Sequence, residues 1–63
     1  MKNRLKAYRE KLGLTQEDLA EKTGLSRATI SKIENNEEVN VNTRTIAKIS
    51  EVLGALPSEI FLI

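Results

Sequence analysis

Apolar residues along this 63-residue chain recur at intervals of three and four. No stretch sustains apolar–polar alternation, so the pattern predicts helices throughout and no strand. A first helix over residues 3–12 places Leu5, Tyr8 and Leu12 on one face, with Asn3 as its cap and Gly13 as its stop. A second begins behind Thr15, which forms a capping box with Asp18 three residues on. Glu17, Asp18 and Glu21 suit the dipole of its first turns, Leu19 and Ala20 point inward, and Gly24 ends it. A third runs from the cap Ser26 to about residue 35, with Ile30 and Ile33 inward. A fourth runs from the cap Asn42 to residue 53, with Ile46, Ile49 and Leu53 inside, Ala47 and Val52 flanking, and Gly54 closing it. The last starts at Pro57, a favoured first-turn residue, and turns Ile60 and Phe61 inward.

Five short helices with tight turns call for one small shared core. The expected members are Leu5, Tyr8, Leu12, Leu14, Leu19, Ala20, Leu25, Ile30, Ile33, Ile46, Ile49, Leu53, Leu56, Ile60 and Phe61. A chain of this length is expected to form a single domain, which buries only about 60% of its unfolded surface. Such a domain is commonly stabilised by a staple or a partner. No disulfide is available, because there is no Cys. There is no His either, which removes the commonest general base and metal ligand. With no Gly-rich phosphate loop in addition, the chain is not expected to be an enzyme, to bind a metal or to carry a cofactor. The basic opening MKNRLKAYREK is followed by no apolar run, so neither a signal peptide nor a membrane span is expected. A cytoplasmic protein without a membrane partner follows as the expectation. No second domain for sensing a small-molecule effector is evident.

The formal net charge of +1 says little, but its distribution says more. Lys2, Arg4, Lys6, Arg9 and Lys11 face only Glu10 in the first eleven residues. Glu17, Asp18 and Glu21 make the next segment acidic, residues 25–36 are weakly basic, and Glu37 and Glu38 turn the chain acidic again. The free cations of the first helix read as ordinary surface charge.

Residues 15–35, TQEDLAEKTGLSRATISKIEN, meet the demands of a helix-turn-helix. Ala20 is small enough for the helix crossing, Gly24 tolerates the positive φ of the turn, and Ile30 anchors the second helix against the first. Leu19, Leu25 and Ile33 fill the remaining inner positions.

On these residues the sequence resembles the phage-repressor and Cro-type helix-turn-helix family, also called the XRE family. The resemblance covers residues 5–61. It rests on REKLGLTQEDLA at 9–20, GLSRATISKIEN at 24–35, and IAKI at 46–49 before Leu53 and Gly54. It implies an all-α, five-helix, lambda-repressor-like domain that binds double-stranded operator DNA, usually as a two-fold homodimer. The outer face of the third helix agrees. Arg27, Ala28, Ser31 and Lys32 point outward with Thr29 at the flank. So small and polar a face fits a major groove about 12 Å wide. Arg27 and Lys32 suit guanine O6 and N7, Ala28 suits a thymine methyl, and Thr29 and Ser31 suit a base or a phosphate. The resemblance carries base contact to all five.

The N-terminus of the second helix, at Thr15 and Gln16, is an anion site by construction. The family's glutamine at the place of Gln16 contacts phosphate. Asn36 stands where the family commonly has Gly, and the loop after it reads Asn-Glu-Glu-Val-Asn-Val-Asn rather than basic. That departure leaves Asn36, Asn40, Asn42, Thr43 and Arg44 as neutral or basic candidates, of which Asn36 and Arg44 are the expected phosphate contacts. Arg9 and Glu34 match a structural ion pair of the family that joins the first helix to the third. At the other end, Leu62 and Ile63 follow two core residues with nowhere to go in a small domain. With Val52 and Leu56 they are expected to form a homodimer seam. The function expected is a transcriptional repressor on a near-palindromic operator. The alternative is a protein-interaction module, as antitoxins are, which the near-neutral charge and acidic loop leave open.

Overall fold

A computed structural model describes residues 3–37 and 41–61. Its helices are α1 (Leu5–Lys11), α2 (Gln16–Thr23), α3 (Arg27–Glu34), α4 (Thr43–Leu53) and α5 (Pro57–Phe61). There is no strand among the described residues.

Three helices start where a side-chain oxygen satisfies an orphan N–H. Thr15 Oγ1 accepts from the Asp18 N–H at 3.0 Å, and Asp18 Oδ2 accepts from the Thr15 N–H at 2.9 Å. Ser26 Oγ accepts from the Thr29 N–H at 3.1 Å, and Asn42 Oδ1 from the Thr45 N–H at 2.8 Å. α1 differs from the expectation, because Arg4 stands at the cap and supplies no side-chain bond. Asn3 lies one residue further out, where its Oδ1 accepts from the Leu5 N–H at 3.0 Å.

Three helices end alike, α1 and α4 on a glycine and α3 on an asparagine. After α1, the Gly13 N–H donates to Glu10 O and the Leu14 N–H to Arg9 O, with Gly13 at φ +72°. After α3, the Asn36 N–H donates to Ile33 O and the Glu37 N–H to Lys32 O, with Asn36 at φ +60°. All three are Schellman turns, which need one left-handed residue. Asn36 is the one non-glycine residue with positive φ among the described residues. Asparagine tolerates that region better than other side chains do, which explains why it can stand in a glycine's place.

α2 packs on α3 and α4, α1 on α3 and α5, and α4 on α5. The buried apolar residues are Leu5, Leu19, Ala20, Ile30, Ile33, Ile49, Leu53, Ile60 and Phe61, with Tyr8, Leu14, Leu25, Val41, Ile46, Val52 and Ala55 half-buried against them. The Arg4 N–H donates to Ile60 O at 2.6 Å, which fastens the start of α1 to α5.

Two expected core residues lie outside. Leu12 is 51% exposed, because α1 stops at Lys11 and the Schellman turn folds Leu14 back in its stead. Arg9, one turn before Leu12, takes the inner place and is itself buried. Leu56 is 64% exposed, since it precedes α5 and its N–H is held by Glu59 Oε1 at 2.8 Å. Ala47, expected beside the inner stripe of α4, is exposed as well.

Candidate nucleic-acid interface

The surface to be tested is built from α2, the turn after it, and α3. Ala20 is buried, Gly24 takes φ +76° at the end of α2, and Ile30 is fully buried. This anchoring fixes which side of α3 is free. Arg27, Ala28 and Lys32 are exposed on it. Thr29 and Ser31 are half-buried, and their hydroxyls are already engaged. Thr29 Oγ1 lies 2.9 Å from Ser26 Oγ, and Ser31 Oγ accepts a long bond of 3.5 Å from Asn35 Nδ2. The five outward candidates therefore fall into three free side chains and two that belong partly to the ends of their own helix.

Beside α3 lies an open groove of about 620 Å³, lined by Arg9, Leu14, Thr15, Gln16, Glu17 and Arg27 among others. The capping box consumes the N–H groups of Thr15 and Asp18. Those of Gln16 and Glu17 have no partner among the described residues. The start of an α-helix thus presents two free donors to the groove. Glu10 also stands on the rim, so the groove is not uniformly basic.

Under the groove, three helices meet at Glu34. Arg9 Nε donates to Glu34 Oε2 at 2.6 Å and Arg9 Nη2 to Oε1 at 3.1 Å. Arg9 Nη1 donates to Leu14 O at 2.7 Å. The two side chains are 10% and 3% exposed, so this is a buried, two-pronged, charge-assisted pair. Its hydrogen bonds with Glu34 raise the already high pKa of the Arg9 guanidinium, against the opposing effect of burial. Gln16 Nε2 donates to Glu34 Oε1 at 3.1 Å. Sequence reasoning gave Gln16 an outward role and Glu34 an inward one, and did not join them. The only signal for that bond is that both residues belong to the start of α2 and the end of α3.

Asn3, expected as the cap of α1, makes longer-range contacts instead. Besides accepting from Leu5, its amide Nδ2 donates to Ile33 O at 2.6 Å and to Asn36 Oδ1 at 3.1 Å. The start of α1 is thereby tied to the end of α3 across 30 and 33 residues of sequence. No periodicity signals such a contact.

The remaining candidates lie apart. Asn36 is exposed on the turn after α3. Arg44 is exposed in the first turn of α4, on a smaller groove of about 310 Å³ with Thr23, Leu25, Thr45 and Lys48. Val52 is half-buried against the core and Leu56 is exposed. Leu62 and Ile63, the other two seam candidates, lie outside the described residues, as do Glu38 and Asn40. Among the described residues, no group of His, Cys, Asp and Glu is arranged to hold a metal, and no helix is long and apolar enough to cross a membrane.

The helix-turn-helix family model matches residues 5–61. An HTH-type transcriptional regulator of Methanocaldococcus jannaschii, itself uncharacterized, is 44% identical over 62 residues, 98% of this chain and 92% of that one. The antitoxin HipB of Escherichia coli K12 is 43% identical over 51 residues, 81% of this chain and 57% of its own length. The HTH-type regulator SinR of Bacillus subtilis is 38% identical over 50 residues, 79% of this chain and 45% of SinR. The crystal structure of SinR in complex with DNA, where it is described as the master regulator for biofilm formation, superposes with a TM-score of 0.79 at 35% identity. That match covers 86% of each chain. The chain thus spans most of the archaeal regulator and about half of SinR and HipB. A family match over nearly every described residue, on the five-helix lambda-repressor-like fold, shows that this chain belongs to the helix-turn-helix family of transcriptional regulators.

Proposed function

We propose that this protein is a cytoplasmic repressor that binds a near-palindromic operator in double-stranded DNA as a homodimer. The observation that carries the reading is the free face of α3, with Arg27, Ala28 and Lys32 exposed beside a helix N-terminus whose Gln16 and Glu17 N–H groups have no partner among the described residues. In this reading α3 enters the major groove. Arg27 and Lys32 read guanine edges and Ala28 meets a thymine methyl, while Thr29 and Ser31 contribute at the margin. Thr15 and Gln16 hold a phosphate at the start of α2, where the free donors and the dipole favour an anion. Asn36 and Arg44 touch the backbone on the far side of α3. Glu10 and Glu17 lessen the attraction, so the uncharged donors and Arg27 bear most of that contact. The likeness to SinR, solved with DNA, supports this docking.

The homodimer reading rests on the exposed Leu56 and the half-buried Val52, with the apolar Leu62 and Ile63 taken from the sequence. Two copies read two half-sites about 34 Å apart on one face of the duplex, and repression follows from covering a promoter. Selection from random duplex DNA tests the whole reading. The expected product is a pair of inverted half-sites one helical turn apart, bound with an affinity that falls steeply with salt. A single unpaired half-site removes the dimer, and binding without sequence preference removes the operator.

The likeness to the antitoxin HipB favours a second reading, in which the chain acts mainly through a protein partner. Absence of salt-dependent DNA binding, even at low ionic strength, selects it.

A further inference from the structure

We propose that Glu34 is a positioning residue that orients the Gln16 side chain for phosphate, with Arg9 neutralising Glu34 so that it can stand there. The inference rests on the DNA-binding reading above and adds a role that the ion pair alone does not imply.

The geometry is chemically restrictive. An ionised carboxylate accepts hydrogen bonds and cannot donate them. Glu34 Oε1 therefore faces the amide nitrogen of Gln16, at 3.1 Å, and excludes the flipped amide. A Gln amide carries two N–H groups. One is spent on Glu34, and the other, fixed by the planarity of the amide, is left for the groove that Gln16 lines with Arg27. A free Gln side chain loses considerable rotamer entropy on ordering. Here that loss is met on folding, before any ligand arrives, which is how preorganisation raises affinity.

Charge is the obstacle to such a device. A bare carboxylate behind a phosphate-facing amide repels the phosphate. Arg9 removes that repulsion, since it meets both Glu34 oxygens and the pair is almost wholly out of water. Its third contact, to Leu14 O, holds the guanidinium in place from the α1–α2 turn. One buried pair thus connects α1, the start of α2 and the end of α3.

A double-mutant cycle tests the role, with affinity for a mixed-sequence duplex measured at fixed salt. Gln16→Ala is expected to weaken binding about tenfold, the scale of one charge-assisted hydrogen bond. Glu34→Gln, which can present either end of its amide, is expected to weaken it severalfold. In the Gln16→Ala background the Glu34→Gln effect is expected to vanish. Multiplying losses in the double variant overturn the proposal, because they make Glu34 act through the fold and not through Gln16. A wild-type chain without salt-dependent DNA binding overturns the functional reading itself and this role with it. Should Glu34→Gln fail to fold, amide exchange in the unaltered chain decides. One Gln16 Nε2 proton is expected to be protected and the other to exchange freely until duplex is added. Free exchange of both overturns the proposal.

Discussion

The two ends of α3 are held by different means. At its start, Ser26 accepts from the Thr29 N–H and meets the Thr29 hydroxyl, all within three residues. At its end, Glu34 is bonded to Arg9 and Gln16, and Ile33 O and Asn36 to Asn3, across 18 to 33 residues of sequence. The first end is a local arrangement that the helix makes for itself. The second is a junction of three elements, and its loss is a loss of tertiary structure. A helix that inserts into a groove needs both, a definite start for its contact residues and a definite tilt on the body that carries it. The tilt is set at the junction.

The largest effect is expected there. Arg9→Ala leaves the Glu34 carboxylate buried with Gln16 as its one remaining partner, and breaking a buried pair costs about 3–5 kcal/mol. The low end of that range applies, because a domain this small is thinly covered. The midpoint of thermal unfolding should fall by roughly 12 °C or more. Replacing both partners together, as Arg9→Met with Glu34→Met, should restore much of the loss, since the cost lies in the orphaned charge. Equal destabilisation of the single and double variants breaks the comparison, because it makes the junction's strength one of packing and not of charge.

The next largest is a binding effect that leaves both ends of the helix untouched. Arg27 is exposed and free of any ion pair among the described residues. Under the proposed function, Arg27→Ala should cost about 1–3 kcal/mol of affinity, concentrated at one base position. Unfolding should be unchanged. A loss spread evenly over all sequences makes Arg27 a phosphate contact and moves the reading of bases to Ala28 and Lys32.

Ser26→Ala removes the local end, and the expected cost is about 1 kcal/mol. The contrast with Arg9 mirrors what could be read from the chain. Ser26, Thr15 and Asn42 act within three residues, so a cap is visible in the sequence as a residue type at a fixed offset. The glycine-terminated ends of α1, α2 and α4 were legible for the same reason. Leu12 misled because periodicity assumes that the helix continues, whereas the turn at Gly13 brings Leu14, half-buried, against the core. Leu56 misled because a residue that starts a helix turns away from the core. Asn3 reads as the cap of α1, a place the structure gives to Arg4, and not as the clasp on Ile33 and Asn36 that it forms, and Gln16 reads as an outward donor but not as a ligand of Glu34. Those bonds depend on how helices cross, which no local offset encodes. Arg9 and Glu34 were paired only through the resemblance to a family. The site's small outward face, by contrast, followed directly from Ile30 and Ile33 being buried. If Ser26→Ala destabilises as much as Arg9→Ala, the distinction between local and long-range anchoring fails.

The smallest effect concerns the cap of α2, and its sign is fixed by chemistry. The Asp18 carboxyl is held below the usual aspartate range, first because it accepts the main-chain N–H of Thr15, then through the Thr15 side chain and Lys22. A depressed folded pKa means that the ionised form is the one folding prefers. The contribution is therefore fully present above the unfolded value of about 3.9 and is lost as pH falls through the lower folded value. Denaturation of the wild type and Asp18→Asn across acid pH reads this directly. Their difference in stability should be constant above about pH 5 and shrink below about pH 4. Since the bond is exposed and local, the change should remain well short of the loss at the Arg9 junction. A difference that persists unchanged into acid would show that Asp18 stabilises α2 by its shape and not by its charge.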